Sequence, residues 1–263
     1  MNTVEKKKLH DLKISGSGTS GGGQFDEVKI SGSGKIAGDI DCREMKISGS
    51  GTVAGDVKAG VIKTSGSSTI EGNTKAENIS TSGSSKYNGS VMAAEMNISG
   101  SSKITGDLIV EKFKVSGSCK VGGKLQGGLI KASGSLKVGQ DCEVETFSSS
   151  GSVHIDGLLN ADNVQIEINH ESSIKEIGGE KISVTHHNSN RLIKQVVNFF
   201  LQKEDYLFSD LIEGDEVYLE NTKAKLVRGK NVVISEHCDI DTVEYSGSID
   251  VHKESRIRNK VKI

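Results

Sequence analysis

The feature that most constrains this chain is a phrase that returns at a fixed interval. KISGSGKIAGDIDCREM (residues 29–45) is followed without a gap by KISGSGTVAGDVKAGVI (46–62). Its glycine recurs as Gly16, Gly32, Gly49, Gly66, Gly83, Gly100, Gly117, Gly134 and Gly151. The first step is one shorter than the rest, and all the later steps are equal. A register held this long is the signature of a solenoid, in which each repeat buries its apolar face only against its neighbours.

Numbered with Lys29 as position 1, the repeat carries apolar residues at fixed places. Position 17 reads Val28, Met45, Ile62, Ile79, Met96, Phe113, Ile130, Phe147 and Val164. Position 8 reads Ile36, Val53, Ile70, Tyr87, Ile104, Val121, Val138 and Ile155, and position 12 reads Ile40, Val57, Thr74, Val91, Leu108, Leu125, Cys142 and Leu159. With position 2 and the small or apolar position 14, these form an inward set, and glycine is usual at 4 and 10. Spacing by two is strand alternation, not helix. Parity slips once per turn, between 14 and 17, which suits a corner. Position 6 drifts from Gly34 and Gly51 through Ser68, Ser85 and Ser102 to Cys119, Leu136 and Val153. That is the behaviour of an inward site filled where space allows. The expected fold is all-β, a single-stranded parallel β-helix (solenoid) with about 17 residues per turn. The serines of SGSG are expected to face outward, and its glycines to sit where the coil turns or the core is tight.

Composition agrees. Aromatics are 4% of the chain, Trp and Pro are absent and Gly numbers 32, so the core must be built from Ile, Val, Leu, Met and Ala. The pattern also outlasts the obvious phrase: EYSGSIDV (244–251) aligns with KASGSLKV (131–138). Steps of 17 relate Val251 to Ile234 and Val217, Val243 to Leu226, and Ile257 to Ile240. About 13 phase-matched segments at about 4.8 Å per stacked strand predict a rod of roughly 60 Å.

Between Val184 and Leu211 the phase is lost and regained. Ser189 or Asn190 is a candidate helix N-cap. Leu192, Ile193, Val196, Val197 and Phe200 then form a helical stripe, with Phe199 beside it and Arg191, Lys194, Gln195 and Asn198 on the other side. The expected organisation is a disordered tail over 1–11, β-helix over 12–184, an excursion over 185–210 holding an amphipathic helix at 190–203, and β-helix again over 211–263. The stripe has three possible seats: a flank of the solenoid, a membrane surface with Arg191, Lys194 and Lys203 at the headgroups, or a partner. His186 and His187, adjacent and without a third ligand, read as loop residues, not a metal site.

Several function classes are disfavoured. Lys and Arg total 33 against 35 Asp and Glu, so no basic excess points to nucleic acid. The first residues carry lysines with no apolar stretch after them, unlike a secretory signal, and no run of about 18 apolar residues occurs. Cys42, Cys119, Cys142 and Cys238 lack CxxC spacing and read as buried thiols. An acyltransferase solenoid would show a six-residue period and a catalytic histidine, whereas His154 stands alone on its turn. A polysaccharide lyase would carry long loops and clustered charge on one face. The many GxG strings arise by repetition and carry no phosphate-site weight. No catalytic, cofactor or metal residues are expected.

The cyclic patterning of Val53-Ala-Gly-Asp-Val-Lys-Ala-Gly-Val-Ile-Lys-Thr-Ser-Gly66 resembles the bactofilins, bacterial polymer-forming cytoskeletal proteins. The resemblance covers roughly 12–184 and 211–263, and DLIEGDEVYLENTKAKLVRGKNVVI (210–234) is similar to a Gram-positive branch. It implies a right-handed, roughly triangular β-helix, end-to-end polymerisation without nucleotide, and scaffolding at the membrane in envelope, shape or motility processes. Two departures stand out: the chain is longer than the usual member, and it has an internal excursion.

The physics of the ends points the same way. A β-helix has two open strand edges, and solenoids that stay monomeric cap them. Here the tail RIRNKVKI alternates to its last residue. The joint is expected at Ile14, Val28 and Ile30 at one end and Ile249, Val251 and Ile257 at the other. The expected function is therefore a self-polymerising scaffold, cytoplasmic or peripheral at the inner face of the membrane. Its expected partners are itself and a membrane surface or envelope-associated protein. The alternative is a non-polymerising β-helical binding module using the helix 190–203 or the outward ladder of Ser31/Ser33, Ser48/Ser50, Ser65/Ser67 and Ser82/Ser84.

Overall fold

A computed structural model describes residues 9–186 and 205–263. The chain divides into two compact units, Met1–Lys112 with Gly117–Gly122, and Phe113–Ser116 with Gly123–Ile263. All regular structure among the described residues is strand, and every described pairing is parallel. The expected helix at 190–203 lies outside the described residues.

The first unit opens with the continuous strands Ser17–Ile30 and Ser33–Ile47, and from Ser50 each turn joins a four-residue strand to an eight-residue strand, as in Ser50–Val53 and Val57–Thr64, then Ser67–Ile70 and Thr74–Thr81. Stacking is in register, one repeat apart: Val57 lies over Ile40, Thr74 over Val57 and Val91 over Thr74. The inward set is the one expected from the sequence. Val28, Met45, Ile62, Ile79 and Met96 at position 17, and Ile36, Val53, Ile70 and Tyr87 at position 8, are all buried. So is position 6, from Gly34 to Val153. The slip in parity falls inside each eight-residue strand, where two residues such as Gly60 and Val61 separate inward Ala59 from inward Ile62.

The interior is not wholly apolar. At positions 2 and 6 the core places Thr64, Ser68, Thr81 and Ser85. Ser68 Oγ donates to Ser85 Oγ at 2.9 Å, and Thr64 and Thr81 hydroxyls lie 3.3 and 3.1 Å from Ser68 and Ser85. A buried hydroxyl costs free energy unless it is paired; Ser68 finds its partner at the same position one turn on, whereas the buried Ser102 Oγ at that position has none among the described residues.

The Ser-Gly-Ser corner is a hydrogen-bonded ladder. The amides of Ser48 and Gly49 both donate to the Ile30 carbonyl, at 2.9 and 3.3 Å, and Ser50 N–H donates to Gly32 O at 2.8 Å. A Cβ at Gly49 would stand 2.1 Å from Gly32 O. The same clash recurs at Gly66, Gly83, Gly100 and Gly117, each 2.0 Å from the glycine oxygen one turn below. Close backbone approach, not a left-handed backbone angle, requires glycine here.

The second unit begins with the same spacing, Leu159 lying over Cys142. It then changes. Ile174 lies over Ile155, where the earlier spacing would have placed Ser172, so this turn is longer. Ser172 pairs with Leu207 and Val184 with Leu219, an offset of 35, whereas Leu207 pairs with Thr222 at an offset of 15. The strand Leu207–Leu219 thus stacks directly on the strand Ser172–His186. The uniform step of 17 fails here: Ile234 lies over Leu219, not Val217, and Val243 over Val227, not Leu226. The cause is two shorter corners: two residues stand between inward Ala224 and Val227, against three between Ile36 and Ile40, and two between Leu219 and Thr222, against three between Ile30 and Gly34. Ile257 does lie over Ile240, and Val251 over Ile234. In these late turns the other corner uses left-handed non-glycine residues, Asn221 (φ 43°) and His237 (φ 59°).

Candidate assembly ends and outer faces

The expected joint residues sit at different depths. Val28 and Ile30 are fully covered, because Leu12 and Ile14 form the turn beneath them. Ile14 is itself 9% exposed. Beyond it the first turn runs through Ser20, Gly21, Gly22 and Gly23, where later turns carry inward Ile or Val. At the other end, the columns under Ile249, Val251 and Ile257 are closed: Val232, Ile234 and Ile240 are at most 1% exposed. Ile249, Val251 and Ile257 are half-buried, and Val261 and Ile263 reach 42% and 63% exposure. Lys260 continues the inward column of Val227 and Val243. The last strand, Arg256–Lys262, is exposed at every residue but Ile257.

The outer faces carry ladders. Ser31 and Ser33, Ser48 and Ser50, Ser65, Ser67, Ser82 and Ser84 face outward as expected. A second ladder was not foreseen. At position 11, Asp39 Oδ1 accepts from Asp56 N–H at 2.8 Å, Asp56 Oδ1 from Asn73 at 2.7 Å, Asn73 Oδ1 from Ser90 at 3.0 Å, and Ser90 Oγ from Asp107 at 3.1 Å. Each side chain caps the corner of the turn above it. The signal was present in the recurring Gly-Asp, Gly-Asn and Gly-Ser pairs, which otherwise read as ordinary turn residues.

Charge alternates along one edge of the first unit. Glu27 pairs with Lys29 at 2.8 Å and Lys46 at 3.1 Å, and Glu44 with Lys46 at 2.9 Å and Lys63 at 3.3 Å. Hydrogen bonds from Lys29 and then Lys46 hold the Glu27 carboxyl down at about 2. In the second unit Arg228 bridges Glu213 and Glu244 at 3.1 and 2.7 Å. Such exposed pairs add little stability singly, but Glu27–Lys46, Glu44–Lys63 and the two Arg228 pairs span adjacent turns and favour one register.

At the start of the strand Leu207–Leu219, Lys223 Nζ lies 4.0 Å from the Tyr206 ring centroid and 5.7 Å from that of Phe208. At the end of the strand Ser172–His186, His186 N–H donates to Glu220 at 2.8 Å. Residues Arg191, Leu192, Ile193, Lys194, Val196, Val197, Phe199 and Phe200 lie outside the described residues. The four thiols are unpaired and buried. Burial pushes Cys119 and Cys142 up to about 12, and Cys42 and Cys238 to about 11, which suits packing and not nucleophilic chemistry.

The bactofilin family model, described as polymer-forming cytoskeletal, matches residues 7–109. Over those residues the chain is similar to the bactofilins. The chain is also similar to two Bacillus subtilis (strain 168) proteins. The uncharacterized protein YhbF is 41% identical over 108 residues, and the uncharacterized protein YhbE is 39% identical over 110. Each match takes in 41% of this chain and 42% or 44% of the relative, so the chain spans less than half the length of these curated relatives. No solved structure matches it significantly. The bactofilin match thus stops well short of the span expected from the repeat, although parallel stacking continues through Arg256–Lys262. Among the described residues no helix is long and apolar enough to cross a membrane.

Proposed function

We propose that this chain is a structural, self-polymerising scaffold that assembles end to end without nucleotide. The observation that carries the reading is the stack of in-register parallel turns, each of which presents a strand edge to the next. Inward columns that are closed at Val232, Ile234 and Ile240 open at Ile249, Val251 and Ile257. A strand edge with an apolar interior beside it is a template for another strand. The polymer-forming description of the family that matches residues 7–109 supports the same reading. No nucleotide is invoked because the joint needs only edge hydrogen bonds and apolar contact.

In this proposal the polymer lies in the cytoplasm, peripheral to the inner face of the membrane, and supports envelope, shape or motility functions. The apolar and basic pattern of residues 190–203 is the sequence feature that would reach a membrane surface or an envelope-associated protein. The test of the joint is the double variant Val251→Lys, Ile257→Lys, followed by sedimentation. Both side chains are only half-buried, so the fold should tolerate the change while the end face becomes charged. Short soluble oligomers are expected. Sedimentation equal to that of the unaltered chain would place the joint elsewhere.

A further inference from the structure

The corner stack near the C-terminal end brings together three groups from two adjacent turns. Register at Ile234↔Val251 and Asp239↔Arg256 sets residues 235–238 directly beneath 252–255. Ligand atoms of Glu236, His252 and Glu254 lie within 4.8 Å of one another. Glu236 and His252 are half-buried, and Glu254 is exposed.

The backbone beneath these groups is fixed. His252 N–H donates to Ile234 O at 2.8 Å, Ser255 N–H to His252 O at 3.0 Å, and Arg256 N–H to Cys238 O at 2.8 Å. Cys238 N–H donates to Ser255 Oγ at 2.8 Å, and that hydroxyl donates in turn to the Ser235 carbonyl. His237 turns the lower corner with its left-handed backbone. A long contact from Glu254 N–H to His252 Nδ1, 3.4 Å, orients the ring.

We propose that Glu236, His252 and Glu254 bind a divalent transition-metal ion of the zinc type. Two carboxylates this close repel unless a cation stands between them, and together they neutralise a divalent charge. The imidazole favours zinc, cobalt or nickel over calcium or magnesium, which take oxygen ligands. Three protein ligands leave a coordination position open. Ligand atoms on one zinc stand about 3–3.5 Å apart, so the side chains must close inward; exposed Glu254 has the freedom to do so. The nearby His237 Nε2, 3.8 Å from Glu254, competes for that carboxylate when protonated. The ion would tie Glu236 on one turn to His252 and Glu254 on the next, clamping the exposed strand Arg256–Lys262. The site does not rest on the assembly reading.

The test is calorimetric titration of the full chain with zinc chloride. It is paired with visible absorption of the cobalt-loaded protein and hydrogen exchange of residues 256–263. One ion per chain is expected, with exchange of those amides slowed when zinc is present. His252→Ala should abolish the cobalt band, and Glu236→Gln or Glu254→Gln should weaken zinc binding at least tenfold. Glu254→Gln keeps the side-chain size on an exposed turn, so loss there does not reflect misfolding. Replacing His186 and His187 with alanine should leave binding unchanged. Absence of binding below millimolar zinc would overturn the site. Binding that survives His252→Ala and disappears with the His186/His187 change would overturn it equally.

Discussion

Gly83 and Gly16 occupy the same position of the repeat, and the structure assigns them opposite sensitivities to alanine. A Cβ on Gly83 would lie 2.0 Å from Gly66 O and 2.4 Å from Ser65 O. Ordinary contact begins at 3.4 Å, so the two turns must part by about 1 Å or more, beyond what backbone flexing absorbs cheaply. Three bonds hold the corner to the turn below: Ser82 N–H and Gly83 N–H to Thr64 O at 2.9 and 3.3 Å, and Ser84 N–H to Gly66 O at 2.8 Å. An opening of that size breaks all three. At a net 0.5–1.5 kcal/mol per bond the cost is about 2–4 kcal/mol, towards the low end because water reaches this corner. Gly16 has no described atom within 4 Å of its Cβ position. Gly16→Ala should therefore change stability by less than about 0.5 kcal/mol in a single chain. If a second copy continues the stack below it, the same change should shorten filaments. Denaturant titration and amide exchange at 82–84 read the first effect, and filament length the second. Equal stability of the two variants would refute the close-approach argument.

Other expectations follow from the same geometry. Asp56→Ala removes the acceptor for Asn73 N–H and should cost about 1 kcal/mol in a denaturant melt. Asp56→Asn should cost little, since Asn73 already fills that role in the ladder. The four thiols, held neutral by burial, should resist a thiol reagent at pH 8 in the folded chain and react together on unfolding. Rapid labelling of Cys119 or Cys142 would contradict their placement in the core. Glu27 has a depressed carboxyl, so its contribution is complete above its ordinary value of 4.5 and lost as pH falls through about 2. Acid unfolding of Glu27→Gln should accordingly be less steep in that window than unfolding of the unaltered chain.

What could be read from the sequence was whatever the period alone determines. Strand alternation located Ile36, Val53 and Ile70 in the core, and the drift at position 6 told that Ser68 and Leu136 share an inward site. The glycines were legible as necessary, but their reason was not. The distance from Gly83 to Gly66 O depends on how tightly two corners stack, which no single repeat reveals. The aspartate ladder was hidden because its partners lie one full repeat apart and one of them is a backbone amide. The late turns were misphased at Val217 and Leu226 because shorter corners leave the alternation within each strand intact. An apolar pattern then still aligns at the wrong step. The C-terminal Glu-His-Glu group was invisible for a related reason: Glu236 and His252 meet only after the turns are superposed.

The most direct test of the account is negative-stain electron microscopy of the purified full chain with no nucleotide added. Long thin filaments are the predicted result, and they should be lost in the Val251→Lys, Ile257→Lys variant. A uniform field of single short particles at every concentration would mean the open columns at Ile249, Val251 and Ile257 are not assembly edges. That result would contradict the central claim.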